Sequence, residues 1–237
     1  IFQIMVTEMG IVQQSFQRLH YPVQIILLCL RWYLAYSLSL RNLEEMMLER
    51  GINVDHSTIH RWVLRLSPLL VKVSKKHRTI YSGGTWYADE TYIKVKGKWT
   101  YLYRAVNANG HTLDFMFSQH RDMKAALRFF KQTISQNASP HTINIDKSKA
   151  NTAALVTLTQ PNCFTFKIRQ CRYKNNIVEQ DHRFIKKRCR PMLGFKSFKT
   201  AQTIISGIEI LHMLHKRQIP IRGSYQNPVV SFYSLFG

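Results

Sequence analysis

The sequence predicts an α/β protein in two parts, an all-helical region followed by a mixed sheet with helices on its faces. Three observations carry that prediction. Apolar residues recur at three-to-four spacing through the first 78 residues, the spacing shortens to two after Gly83-Gly84, and from Asp122 onward helical and strand patterns alternate.

In the first region Ile25, Leu28, Trp32 and Leu34 follow one helix, and Leu40, Leu43 and Met47 a second, which Gly51 stops. Asp55 or Ser57 can cap a further helix from about Ser57 to Leu66, ended by Ser67-Pro68. Two helices joined by a Gly-containing turn, the second bearing Ser57, Thr58, His60, Arg61 and Arg65, have the pattern of a helix-turn-helix whose second helix enters the DNA major groove. A plain helical hairpin has the same spacing; the charge of the chain favours the DNA-reading alternative. A basic connector with Lys72, Lys75, Lys76 and Arg78 leads to the sheet.

Alternation then predicts strands at Trp86–Val95, Lys98–Val106 and His111–Ser118, the last two joined by a turn at Asn107-Ala108-Asn109-Gly110. Asp122–Ile134 reads as a helix, Thr142–Ile145 as a short buried strand and Lys149–Leu158 as a helix. Phe164–Ile168 reads as a strand and Asn176–Arg188 as the helix after it. Three antiparallel strands followed by such alternation make a mixed sheet.

Charge limits the function. The 237 residues carry 34 Lys+Arg against 13 Asp+Glu, a net charge of +21, while 45% hydrophobic residues are enough to bury a core and exclude general disorder. So many cations call for a polyanionic partner, first of all a phosphate backbone. The apolar run Ile25–Leu30 lies between Gln24 and Arg31 and is far shorter than a membrane span; no signal-peptide pattern surrounds Glu8. Cys29, Cys163, Cys171 and Cys189 include no Cys-x-x-Cys, so they read as free thiols of a cytoplasmic protein rather than zinc ligands. The cationic excess is C-terminal: residues 167–199 hold 11 Lys+Arg, with only Glu179 and Asp181 as acids.

Acids that survive in such surroundings need a reason. Asp89 lies mid-strand, Asp146 ends the strand Thr-Ile-Asn-Ile-Asp, and Glu179 lies on the helix Asn-Asn-Ile-Val-Glu-Gln-Asp-His. Each alone reads equally as a surface charge or a cap. In a sheet whose fourth strand runs beside its first, however, the two aspartates become neighbours, and a packed helix can bring the glutamate. Converging carboxylates suit hard divalent cations, Mg²⁺ or Mn²⁺, and a pair of such ions is the general solution for in-line attack on a phosphodiester. Lys186, two helical turns beyond Glu179, faces the same side and can hold DNA, with Lys174, Arg183 and Lys187 around it. Glu90, adjacent to Asp89, is expected on the opposite face of its strand. Asp181 and His182 are expected beside the site, facing solvent or DNA, His212 and His215 to pack, Trp62 and Trp86 to be core, and Gly194-Phe195-Lys196 to set a turn.

The motifs His56-Ser57-Thr58-Ile59-His60-Arg61-Trp62-Val63, Ala88-Asp89-Glu90-Thr91-Tyr92-Ile93-Lys94-Val95, Tyr101-Leu102-Tyr103-Arg104-Ala105-Val106, Asp146-Lys147, Tyr173-Lys174-Asn175-Asn176-Ile177-Val178-Glu179 and Leu193-Gly194-Phe195-Lys196-Ser197-Phe198-Lys199-Thr200-Ala201 resemble the insertion-sequence six (twenty-six) family of bacterial transposases. The resemblance spans about residues 25–217. It implies an RNase H-like, retroviral-integrase-like DDE domain with Asp89, Asp146 and Glu179 as its metal-binding triad and Lys186 as the basic residue after the last acid. It also implies a helix-turn-helix that binds terminal inverted repeats, and cointegrates formed by replicative transposition. The expected organisation is a DNA-binding region over 1–80, a catalytic domain over 81–217 and a tail over 218–237. The expected partners are double-stranded DNA and further copies of the chain, a dimer or larger, with no membrane. The sequence departs from the family in having 32 residues between Asp146 and Glu179, slightly fewer than usual, and Ser148-Lys149-Ala150-Asn151 where Ala-Pro-Ala-Tyr is usual. An inactive remnant or DNA-binding regulator is the alternative reading.

Overall fold

A computed structural model of the chain describes residues 15–159, 164–171, 175–221 and 227–237. Contacts group the residues up to Arg78 with those from Phe198 onward as one unit, and Thr79–Ser197 as the other. No helix among the described residues is long and apolar enough to cross a membrane.

The first unit is helical: α1 (Val23–Ala35), α2 (Leu40–Leu48) and α3 (His56–Lys76). Ser39 opens α2 with a capping box, accepting from the Asn42 N–H while the Asn42 side chain accepts from the Ser39 N–H. Asp55, not Ser57, caps α3: one of its oxygens accepts from Ser57 N at 2.7 Å and Thr58 N at 3.3 Å. Pro68 does not end that helix. Ile59, Trp62, Val63, Leu66, Leu69 and Leu70 are buried along one stripe that runs past it, and this burial outweighs the one backbone hydrogen bond that proline lacks. Lys72, Lys75 and Lys76, expected in a connector, therefore stand on the last turns of α3.

Helix Phe198–His215, expected at the end of the sheet domain, packs instead with α1 and α3. Its apolar face, Ala201, Ile204, Ile205, Ile208 and Leu211, is buried, and Gly207 permits the approach, since a β-carbon there would meet Leu34 Cδ1 at 2.9 Å. By contacts, the helical unit thus takes in this helix, and the residues after it add a short helix, Pro228–Ser234, with Phe232 buried.

The second unit holds β1 (Thr85–Val95), β2 (Lys98–Asn107), β3 (Thr112–Ser118), α4 (Met123–Gln136), β4 (Thr142–Ile145), α5 (Lys149–Thr159), β5 (Lys167–Gln170) and α6 (Asn176–Cys189); in chain order the helices after it are α7 (Phe198–His215) and α8 (Pro228–Ser234). The strand order is β3-β2-β1-β4-β5, antiparallel through β1, β2 and β3 and parallel from β1 to β4 and β5. This is the mixed sheet expected from the sequence, and α4 and α5 close its core around Trp86, Tyr103, Phe129, Phe130, Ile143, Ile145 and Leu155. β5 begins three residues later than its apolar alternation suggests. Phe164 and Phe166 do turn to the core, but ladder pairing starts only where β4 does, at Thr142 opposite Lys167. Gly194 (φ +96°) lets the chain pass β1, where Phe195 N donates to Lys94 O and Lys96 N to Phe195 O, so Phe195 forms a short parallel bridge to β1 in place of the expected turn.

Candidate active site

β1 lies between β2 and β4, so its residues are central, and this places Asp89. Pairing of β1 with β4 ends at Tyr87 opposite Asn144, and Asp146 follows two residues later, beside the β1 edge that has just opened. Asn144, fully buried, donates through Nδ2 to Asn175 Oδ1 at 2.6 Å, and Asn175 Nδ2 donates to Ala88 O at 3.3 Å. This amide bridge pins the start of α6 to the strand carrying Asp89, and Glu179 stands on the first turn of that helix. Asp89, Asp146 and Glu179 line one cleft of about 980 Å³.

The tightest cluster in that cleft is Asp89, Glu90 and Asp146, with one carboxylate oxygen from each lying within 4.8 Å of the others. Glu90 thus does not stay on the far side of β1. Strand alternation sends it toward Tyr103, but the open edge beyond Tyr87 lets both neighbouring carboxylates reach round to the same cleft. Two side chains hold it there: Arg121 Nε donates to Glu90 Oε1 at 2.9 Å and Asn151 Nδ2 to Oε2 at 3.1 Å. Glu179 is exposed and lies outside this cluster, though its charge still acts on Asp89.

Burial pushes the Asp89 carboxyl up to about 7, with the charge of Glu90 adding most of the electrostatic part and Asp146 and Glu179 less, against a hydrogen bond from the Glu90 N–H. A carboxylate so disfavoured has a strong drive to acquire a cation. Arg121 supplies part of one, with its second guanidinium nitrogen 3.9 Å from Asp146 Oδ2. The carboxylates of Asp89, Glu90, Asp146 and Glu179 in the cleft offer hard oxygens, the donors that suit Mg²⁺ or Mn²⁺.

Asp181 and His182 do not face solvent. Arg104, directly opposite Asp89 on β2 and fully buried, donates to Asp181 Oδ2 at 2.6 Å. His182 is 2% exposed, its Nδ1 lies 3.8 Å from Asp89 Oδ2, and burial, with the charges of Arg104 and Lys186, holds it neutral. The side chains beneath Asp89 thus come from α6, whose outer face carries exposed Arg183, Lys186 and Lys187. Arg121, Asn151, Asn144 and Asn175 were missed in the sequence. Neutral amides and a lone arginine give no periodic signal, although Asn144 between Ile143 and Ile145 is a buried amide for which the strand pattern gives no reason.

The residues expected on a DNA-reading helix lie on α3 of the helical unit. Ser57, Arg61 and Arg65 are exposed at four-residue spacing on α3, Thr58 accepts from Arg61 at 2.7 Å, and Arg65 donates to Gln17 O at 3.3 Å. His60 is half-buried, which lowers its pKa. Lys174 lies outside the described residues, as does Cys163; Cys29, Cys171 and Cys189 are free thiols. Trp62 and Trp86 are core and His212 is buried, as expected.

One outcome concerns the α3 cap. Hydrogen bonds from Ser57, side chain first, hold the Asp55 pKa below the usual value of 3.8, so the stabilisation is present above that pH and fades as acid brings the pH through the depressed value. Asp55→Ala lowers the melting midpoint at neutral pH, whereas Asp55→Asn, still a good cap, keeps it; thermal melts followed by circular dichroism read the effect.

A family model described as a DDE domain, of the IS240 transposase type, matches residues 83–218. The chain is 39% identical over 199 residues to the transposase for insertion sequence-like element IS431mec of Staphylococcus aureus, covering 81% of this chain and 85% of that protein. Identity and coverage are the same for the transposase for insertion sequence element IS257 in transposon Tn4003 of Staphylococcus aureus. Among solved structures, the catalytic core domain of BIV integrase aligns at 15% identity with a TM-score of 0.41, over 64% of this chain and 95% of that one.

Proposed function

Because this chain belongs to the DDE transposases of insertion sequences, we propose that Asp89, Asp146 and Glu179 are its catalytic triad and hold two divalent cations, Mg²⁺ or Mn²⁺. The observation that carries the reading is the cleft that gathers these acids within a strongly basic chain, with carboxylate oxygens of Asp89 and Asp146 within 4.8 Å of each other. Bound there, divalent cations supply Lewis-acid polarisation of the phosphate and of the attacking and leaving oxygens. The protein's part is electrostatic and positional. Asp89 is presented from the rigid centre of the sheet, with neutral His182 beneath it; Asp146 is oriented by the Ser148 N–H at 2.9 Å; Glu179 approaches from α6. Lys186, Arg183, Lys187 and Lys174 hold the DNA backbone near the cleaved phosphate, and Lys186 acts closest to the reaction.

On this reading Ser57, Thr58, His60, Arg61 and Arg65 face the terminal inverted repeats from α3. The enzyme works in the cytoplasm as a dimer or larger assembly, since two element ends must be brought together, and its product is a cointegrate formed by replicative transposition. The test is a strand-transfer assay with the purified chain, labelled element-end DNA and a target plasmid, with and without Mg²⁺, beside Asp89→Asn. Metal-dependent joining that the variant loses is the expected result; end binding with no joining in folded wild-type protein would sink the proposal in favour of a DNA-binding remnant.

A further inference from the structure

The β1–β2 hairpin extends beyond the helix that covers it. On the face carrying Glu90, the strand residues are Glu90, Tyr92 and Lys94, paired with Tyr103, Tyr101 and Trp99. Tyr103 is buried against Phe129 of α4, ring centroids 5.6 Å apart, so this end of the face is core. Toward the hairpin turn the cover ends: Tyr101 is half-buried, Tyr92 47% exposed and Trp99 60% exposed. Three rings therefore pave an open sheet surface that starts at the catalytic cleft, since Tyr92 also lines that cleft.

The rings are ordered but not stacked face to face. Tyr92 meets Trp99 at 6.3 Å and 81°, and Tyr101 at 5.5 Å and 64°, edge-to-face arrangements in which each contact takes up one face of one ring, so the accessible ring surface is that of the exposed Trp99 and the exposed part of Tyr92. Cations border them on the same face. Lys94 lies across from Trp99, and Arg121 lies over Tyr92, 5.7 Å from its centroid, while donating to the Tyr92 hydroxyl at 3.0 Å and reaching on toward Asp146. Aromatic faces interleaved with cations match a nucleic-acid strand, whose bases stack and whose phosphates need neutralising. Bases within a duplex have both faces covered by their neighbours, so only an unpaired nucleotide can use the rings.

We propose that Tyr92, Trp99 and Tyr101 form a stacking platform for an unpaired nucleobase of the DNA strand whose phosphate lies in the carboxylate cleft, with Lys94 and Arg121 holding the intervening backbone. The proposal rests on the catalytic reading of that cleft, and it adds a binding site for frayed or extruded DNA beside the reacting phosphate.

The experiment compares two probes on the full chain in EDTA, a short oligothymidylate and an abasic oligomer of equal length and charge, by fluorescence anisotropy. Wild type is expected to prefer the oligothymidylate; Trp99→Ala loses about tenfold for it and little for the abasic strand, and Trp99→Phe keeps most of the preference. Equal binding of both probes by wild type, or an equal loss on both by Trp99→Ala, overturns the platform. So does unchanged binding of both probes with a lower sedimentation coefficient, which would make the face a contact between copies of the chain. Because no metal is present, the outcome is independent of strand transfer. Base preference without any metal-dependent joining would fail the catalytic reading alone, and joining without base preference would fail the platform alone.

Discussion

Asp146→Asn reduces strand transfer at least about 100-fold, more than the 10–100-fold loss typical of groups that only orient a metal ligand, while binding of element-end DNA stays within about twofold. The substitution keeps the side-chain size and the hydrogen bond from the Ser148 N–H, so the start of α5 is undisturbed and only the negative charge is lost. Retained joining would remove Asp146 from the triad. Asp89 has a stability counterpart. Its folded pKa, about 7, lies above the ordinary 3.8, so folding disfavours the ionised form. The resulting penalty starts as pH rises past about 4 and is complete above about 7. Asp89→Asn removes it, and the metal-free variant is expected to melt above wild type at pH 7.5. Added Mg²⁺ raises the melting temperature of wild type and leaves the variant unchanged.

Arg104→Ala is expected to be the most destabilising single change in the sheet unit. Its guanidinium is fully buried, and Asp181, whose side chain is 9% exposed, would be left as a buried carboxylate without its partner at 2.6 Å. Breaking such a pair on one side costs about 3–5 kcal/mol. For a chain of this size that lowers the melting temperature by on the order of 10 °C. The double change Arg104→Met with Asp181→Leu removes both charges while keeping most of the volume, and should recover the greater part of the loss; calorimetry distinguishes the two. Activity gives a separate readout, because Arg104 lies opposite Asp89 and its partner sits next to His182 on α6. The double variant should fold and retain strand transfer, since burial still holds His182 neutral and the opposing charges of Arg104 and Asp181 are removed together.

Much of this was legible from the sequence because it is local. The alternation of Trp86–Val95 and Lys98–Val106 defines a hairpin whatever surrounds it, and Thr142–Ile145 is apolar enough to be a buried strand at its stated bounds. The positions of the two aspartates were legible too, Asp89 in the middle of β1 and Asp146 just past the end of β4. Pro68 shows where local signals fail. Its missing N–H is a local cost, whereas the stripe from Leu66 to Leu70 that carries α3 onward is buried by the helices packed on it.

What the sequence determined by itself is therefore the set of elements, the basic character of the chain and the identity of the acids, all properties of neighbouring residues. Tertiary structure alone decided which acids meet. The β1–β4 ladder ends at Tyr87 opposite Asn144 and leaves the β1 edge open, and Glu90 joins Asp89 and Asp146 although alternation assigns it to the other face. Arg121 and Asn151, 31 and 61 residues away in the chain, fix it there. It also decided that Asp181 and His182 turn inward, because α6 lies on the sheet with Arg104 beneath it, and that Phe198–His215 joins the helical unit, because Gly207 lets that helix approach Leu34. Each of these depends on which surfaces remain open after the strands and helices have paired, a quantity that no window of sequence contains.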